Sequence, residues 1–339
     1  MFISLRKNTP ENEIQRVINL ARSRNVEVNL FKGADYVVLG LLGDTSHIEP
    51  EEIKVSPWVM AVQRVSAPYK LANRLLHPND SIIDVGGIRI GAGERIAIIA
   101  GPATLESNEH AKAMALSIKG AGASIYKGGC YKARTSPYSF QGLGENGLDY
   151  LSAAGKNLQM PVASELQDSE QIELFNQKVD LIIINSGNMF NFSLLKKLGQ
   201  KTKKPILLKR SQSATIDEWL MSAEYLMANG NPNVILCERG VKSFDRYHKA
   251  SIDMGVVAAL KQRTHLPVII DPSHSTGDWR LVESVFLAGI AAGADGMIID
   301  VHNDPQHALS DASLSLYSDQ LQTLIEKGDK MARVLGRSL

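Results

Sequence analysis

From residue 95 onward the chain repeats one phrase eight times: a short apolar run, a polar turn, then a helical pattern. The runs are Ile96–Ala100, Ser124–Tyr126, Pro161–Ser164, Leu181–Ile184, Pro205–Leu208, Val234–Leu236, Pro267–Ile270 and Gly296–Ile299. They are apolar almost continuously rather than at alternate positions, which predicts strands covered on both faces. Between them, stretches such as Glu109–Lys119, Ile216–Ala228 and Leu281–Ala292 place apolar residues at helical spacing. Eight strand–helix units in about 240 residues predict a (β/α)8 TIM barrel of the α/β class. An open doubly wound sheet is the competing architecture, and the strand count argues against it.

The first 65 residues follow another rhythm. Phe2–Lys7 alternates like a strand, and Thr9-Pro10-Glu11 starts a helix that continues through Ile14, Val17, Ile18 and Ala21. Val26–Phe31 and Tyr36–Leu42 read as strands split by a turn at Lys32–Asp35. Pro50–Val55 is a short helix, and Met60–Val65 a last strand. The order βαββαβ predicts a small ferredoxin-like domain. It holds no catalytic constellation, so it reads as a packing unit or as a regulatory or oligomerisation module. The expected division is residues 1–66 for this domain, 67–94 for a linker and a β-hairpin around Gly86-Gly87, and 95–339 for the barrel.

Composition narrows the function. The 37 Lys+Arg and 36 Asp+Glu leave a net charge of +1, which gives no general reason to expect nucleic acid or anionic membrane as a partner. Two cysteines, Cys130 and Cys237, build neither a disulfide framework nor a cysteine zinc motif. No apolar run reaches membrane-spanning length and the first residues lack a signal-peptide core, so a cytoplasmic enzyme is expected.

In a barrel, chemistry gathers on the loops after the strands. Here those loops carry Lys127, Lys132, Arg134, Thr135, Ser136, Glu165, Lys209, Arg210, Glu238 and Arg239. Any one cation is ordinarily a solvated rim charge. Six cations at strand ends of a neutral chain point to an anionic, phosphorylated small-molecule substrate. His274, Asp300 and Asp311 offer one imidazole and two carboxylates, suited to Mn²⁺, Fe²⁺ or Zn²⁺. The alternative is structural, with His274 capping a loop and Asp311 capping the last helix.

Several motifs carry a resemblance. KARTSPYSFQGLG at 132–144 is similar to the KPRTSPYSFQGLG signature of the type Iβ 3-deoxy-7-phosphoheptulonate (DAHP) synthases. LLKR at 207–210, SATIDEWLMSAEY at 213–225, GNPNVILCERG at 230–240, THLPVIIDPSHSTG at 264–277, AAGADGMIIDVH at 291–302 and HALSDA at 307–312 resemble the same group. So do the βαββαβ segment and PYKLANR at 68–74. The resemblance implies condensation of phosphoenolpyruvate (PEP) with erythrose 4-phosphate, the first step of the shikimate pathway. It implies Lys132 and His274 as catalytic residues, and a divalent metal on His274, Asp300 and Asp311. Lys132, Arg134, Thr135 and Ser136 would hold the erythrose phosphate, and Lys209, Arg210 and Arg239 would hold PEP with Glu165 and Glu238 nearby. Lys127 would join the substrate-binding set. It also implies a homo-oligomer, a tetramer or dimer, and an aromatic amino acid effector at the first domain.

The sequence departs from that pattern inside the site. The family's metal-ligating Cys after the first strand is Ala103, and its strand-eight Glu is Asp300. Arginines of the family stand here as Lys127, Gly187 and Lys249, its Asn after Lys249 as Ala250, and the Pro of its signature as Ala133. An Arg-to-Lys change loses the bidentate fork. Three readings follow: a DAHP synthase with an altered metal site, a relative acting on a modified donor or aldehyde, or a weak catalyst with a regulatory role. Cys130, next to the strand that carries Ala103, either supplies the missing thiolate or is a small buried residue on a glycine-rich turn.

Overall fold

The computed structural model describes residues 1–33, 36–64 and 67–339. Ala34 and Asp35 of the expected turn lie outside the described residues, as do Val65 and Ser66 at the expected domain boundary. The chain forms two compact units, Met1–Asp80 with Gln262–His265, and Ser81–Lys261 with Leu266–Leu339.

In the first unit, β1 (Phe2–Arg6), β2 (Glu27–Lys32), β3 (Tyr36–Leu42) and β4 (Val59–Gln63) form an antiparallel sheet in the order β2-β3-β1-β4. Helix α1 (Glu11–Ser23) begins with acids and ends on Arg22, both favourable to the helix dipole. Its stripe Ile14, Val17, Ile18 and Ala21 packs with Ile3, Leu5, Leu39 and Leu41. Helix α2 (Pro50–Lys54) adds Ile53 to that core. The expected βαββαβ order is observed. Residues expected as a linker contribute to packing here: Leu76 and Leu71 cover Phe2 and Val38 on the other side of the sheet.

In the second unit, eight parallel strands close into a barrel: β7 (Ala97–Gly101), β8 (Ile125–Lys127), β9 (Val162–Glu165), β10 (Leu181–Ile184), β11 (Ile206–Lys209), β12 (Val234–Glu238), β13 (Val268–Ile270) and β14 (Gly296–Asp300). Each lies within a residue or two of its expected run. The hairpin β5 (Ile83–Val85) and β6 (Ile88–Ile90) turns at Gly86-Gly87, both at positive φ, where glycine carries no steric penalty. Its Ile83, Val85 and Ile90 pack with lumen residues Ile99, Ile125, Leu207, Ile235 and Ile298. Gly86 lies against Pro161, just before β9. The hairpin therefore closes the N-terminal end of the barrel and leaves the C-terminal end for chemistry. Among the described residues, no helix is long and apolar enough to cross a membrane.

Candidate active site

The C-terminal ends of β7, β8, β9, β11, β13 and β14 meet around a cavity lined by Ala103, Lys127, Lys132, Glu165, Lys209, His274 and Asp300. Burial of that many charges requires pairing, and the structure pairs them. Lys127 Nζ contacts Asp300 Oδ1 and also donates to the Pro102 carbonyl at 3.5 Å. Lys209 Nζ donates to Asp271 Oδ2 at 2.7 Å. Lys132 Nζ lies 2.7 Å from Asp311 Oδ2, and Lys249 Nζ lies 3.7 Å from Asp311 Oδ1. His274 Nδ1 stands between two carboxylates, 3.0 Å from Asp271 Oδ2 and 3.2 Å from Asp300 Oδ2.

Local sequence explains this convergence. Asp271 accepts the His274 backbone N–H at 2.9 Å and so caps the short helix Pro272–Thr276 that carries the imidazole. Ser273 Oγ accepts the Asp300 backbone N–H at 3.0 Å, tying β14 to the same helix. Between β8 and β14 lies the end of β7, and there only glycine fits. A Cβ on Gly101 would sit 1.9 Å from the Lys127 carbonyl oxygen. Small residues Gly101 and Ala103 thus let Lys127 reach across one strand to Asp300.

The ion pairs fix protonation. Burial alone would raise the Asp271 pKa, but His274 and Lys209 hold it well below the carboxylate range. Burial likewise opposes ionisation of Asp300, and Lys127 with His274 outweighs it. Lys209 and Lys132 are desolvated, yet Asp271 and Asp311 respectively lift each above the ordinary lysine value. All four remain charged at neutral pH.

Other expected residues fall elsewhere. Arg210 and Glu238 are buried against each other at 2.7 Å, with Arg210 also donating to the Ala214 carbonyl and Glu238 accepting the Gly240 N–H. They form a closed pair beside the cavity and do not line it. Arg239 is buried just after β12, outside the cavity lining, and its Nη1 has no hydrogen-bond partner among the described residues. Glu165 accepts from Asn185 Nδ2 at 2.9 Å and from Gln167 Nε2 at 2.5 Å. Arg134 and Thr135 are exposed and Ser136 half-buried on the loop after β8, outside the cavity lining. Gly187 places no side chain at the rim. Two partners, Asp271 and Lys249, stood outside the expected site set, although Lys249 falls where the resembled family has an arginine. Asp271 was legible as the residue closing strand seven just before His274.

Cys130 lies outside the cavity lining. It is buried, lies against Gly147 of the helix Glu145–Leu158 and donates to the Gly128 carbonyl at 3.5 Å. Burial pushes its thiol up to about 12. Cys237 belongs to the barrel's apolar core.

Asp300 Oδ2 and Asp311 Oδ2 are buried and accept no hydrogen bond among the described residues, so two donor atoms stand near His274. The charge balance is what does not fit a divalent ion: Ala103 brings no ligand, and Asp300 and Asp311 are each already paired with an ammonium group. A second group, Glu106, His110 and His302, brings ligand-type atoms within 4.8 Å of one another. Backbone N–H groups of Glu106 and Asp304 donate to Nδ1 of His110 and His302 at 3.2 and 3.0 Å. In a neutral ring that leaves the proton on Nε2, the atom a metal would need. His302 Nε2 faces Glu106 Oε1 at 3.2 Å, a bond that ties the β7 and β14 loops together.

Comparison with known proteins agrees with this architecture. Residues 69–336 match the model of the DAHP synthetase I family, and residues 1–67 match the DAHP synthase ferredoxin-like domain. Phospho-2-dehydro-3-deoxyheptonate aldolase of Thermotoga maritima is 40% identical over 336 residues, covering 99% of each chain. A crystal structure of that aldolase, called DAHP synthase, superposes with a TM-score of 0.79 at 39% identity, covering 99% of this chain and 98% of the other. 2-Dehydro-3-deoxyphosphooctonate aldolase of Citrifermentans bemidjiense is 32% identical over 263 residues, 72% of this chain and 95% of its own.

Proposed function

The chain belongs to the DAHP synthetase I family of carbon–carbon bond-forming enzymes, and on that premise we propose that it condenses PEP with erythrose 4-phosphate to give DAHP and phosphate, the first step of the shikimate pathway. The single observation that carries the site assignment is Arg239. A buried guanidinium nitrogen without a hydrogen-bond partner among the described residues, just past the end of the strand that pairs with the Lys209 strand, is a place kept for an anion.

Each group has a role in that reaction. Arg239 and Lys209 hold the PEP anion, with Glu165 orienting through its bonds to Gln167 and Asn185. The C2–C3 π pair of PEP forms the new bond to the aldehyde carbon, and the aldehyde oxygen takes a proton from Lys132. Water adds to C2 and loses one proton; the C2–oxygen bond to phosphate then breaks, and the remaining C2 hydroxyl proton leaves with the phosphate as the C2 carbonyl forms. The proton given up by water restores the one spent on the aldehyde. His274, held by Asp271 and Asp300, stands at the cavity wall to carry it. Lys127 balances the growing charge on the aldehyde oxygen. Arg134, Thr135 and Ser136, on the outer loop, receive the distal phosphate of the sugar. Arg210 and Glu238 hold the ends of β11 and β12 in place.

Enzymes of the family generally use a divalent metal ion. The ammonium groups paired with Asp300 and Asp311 do not favour one, so no step is routed through it. The first unit is read as the seat of an aromatic amino acid effector and of subunit contacts in a cytoplasmic homotetramer. A second reading, a modified donor or aldehyde, is favoured by Lys127 and Gly187, which remove two arginine forks from the clamp. The test offers PEP with four- and five-carbon phosphorylated aldoses and identifies the product by mass. DAHP from the four-carbon aldose supports the first reading. A product only from another pair supports the second.

A further inference from the structure

Position 103, the Lys127 contact and the Lys132 contact belong to one arrangement. A divalent ion needs lone pairs that face one another and carry uncompensated negative charge. Here Asp300 and Asp311 each keep one buried oxygen without a hydrogen bond among the described residues, but their charge is compensated: Lys127 sits on Asp300 Oδ1, Lys132 and Lys249 flank Asp311, and Lys209 sits on Asp271. Three carboxylates thus face four ammonium groups, which leaves no net negative charge for a dication. A dication entering the site would have to displace the buried Lys127 ammonium from Asp300. The side chains of Lys127 and Asp300 are 9% and 1% exposed, so water cannot screen the conflict.

We infer that the active-site cation of this enzyme is the chain's own pair of ammonium groups, Lys127 and Lys132, which occupy Asp300 and Asp311 in place of a divalent metal ion, so that condensation proceeds without metal. The inference rests on the proposed reaction for its catalytic half and on ion-pair geometry for its binding half. In the catalytic half, an ammonium N–H supplies to the aldehyde oxygen both the positive charge and the proton. The same site without Ala103 and Lys127 would have an open ligand position and a free carboxylate.

The test uses the purified full chain dialysed against a chelator. Zn²⁺ and Mn²⁺ are titrated calorimetrically into the wild type, Asp300→Asn and Lys127→Met, and phosphate release from PEP plus erythrose 4-phosphate is measured with and without chelator. The wild type is expected to bind no ion that Asp300→Asn loses, and to turn over equally with chelator present. Lys127→Met is expected to gain Zn²⁺ affinity by about 100-fold as Asp300 is released. An ion held by the wild type and lost in Asp300→Asn overturns the inference, as does activity that chelation abolishes and Mn²⁺ restores. If Lys127→Met does not fold, the wild-type and Asp300→Asn titrations decide alone. Absence of turnover under every condition counts against the proposed reaction, while the titrations still decide who holds the carboxylates.

Discussion

Lys127 and Asp300 end strands that are not neighbours, yet their side chains meet across the end of β7. Gly101, paired in register with Asp300, keeps that crossing open. Breaking a buried pair by removing one partner leaves a stranded charge, whereas removing both does not. Lys127→Met is expected to lose about 3–5 kcal/mol of stability, and Lys127→Met/Asp300→Leu to recover most of it while remaining inactive. Urea unfolding and phosphate release on both variants check this. Equal stability losses in single and double variants would contradict it.

Arg239 gives a prediction of the opposite kind. Its Nη1 has no hydrogen-bond partner among the described residues, so it contributes to ligand binding more than to folding. Arg239→Met is expected to raise KM for PEP by about 10- to 100-fold, the worth of one charge-assisted bond, with little change in unfolding midpoint. A large fall in stability with unchanged KM would remove Arg239 from the PEP site.

Both cysteines are buried and unpaired. Burial raises the Cys130 thiol to about 12 and lifts Cys237 as well, and the thiolate is the reactive form. A disulfide-exchange reagent is expected to find no reactive thiol in the native chain and two after denaturation. Cys130→Ser is expected to leave metal content unchanged. A native thiol reacting at neutral pH, or altered metal content, would reopen Cys130 as a ligand.

In the first unit His265 is buried, with Nε2 at 2.9 Å from the Leu71 carbonyl and its ring stacked on His77 at 4.1 Å. Burial first, partly offset by the Leu71 bond, lowers its pKa from 6.5 to about 4. The unfolded chain therefore binds this proton at a higher pH than the folded one. Stability is complete above pH 6.5 and falls as pH drops toward 4, by up to about 3 kcal/mol. His265→Asn is expected to flatten that dependence when urea midpoints at pH 5 and pH 7.5 are compared. An equally steep fall in the variant would place the acid sensitivity elsewhere.

The barrel was legible in the sequence because strands buried on both faces leave continuous apolar runs, and Leu181–Ile184 was read to the residue. The first domain was legible through the stripe Ile14, Val17, Ile18 and Ala21. The cations Lys127, Lys132 and Lys209 were placed at the rim by strand position, and they do line one cavity. Their partners were not legible. Which carboxylate neutralises which lysine depends on reach across strands distant in sequence, 173 residues for Lys127 and Asp300 and 62 for Lys209 and Asp271. For the same reason Arg210 and Glu238 read as two substrate contacts but close on each other. The packing of Leu71 and Leu76 was hidden because their short segment shows no period.

The most direct measurement is phosphate release by the purified full chain from PEP alone, from PEP with erythrose 4-phosphate, and from the pair with chelator. The expected result is release only when both substrates are present, one phosphate for each DAHP formed, at a rate the chelator leaves unchanged. Release from PEP alone, or none from the pair, would contradict the assignment of this site to the condensation.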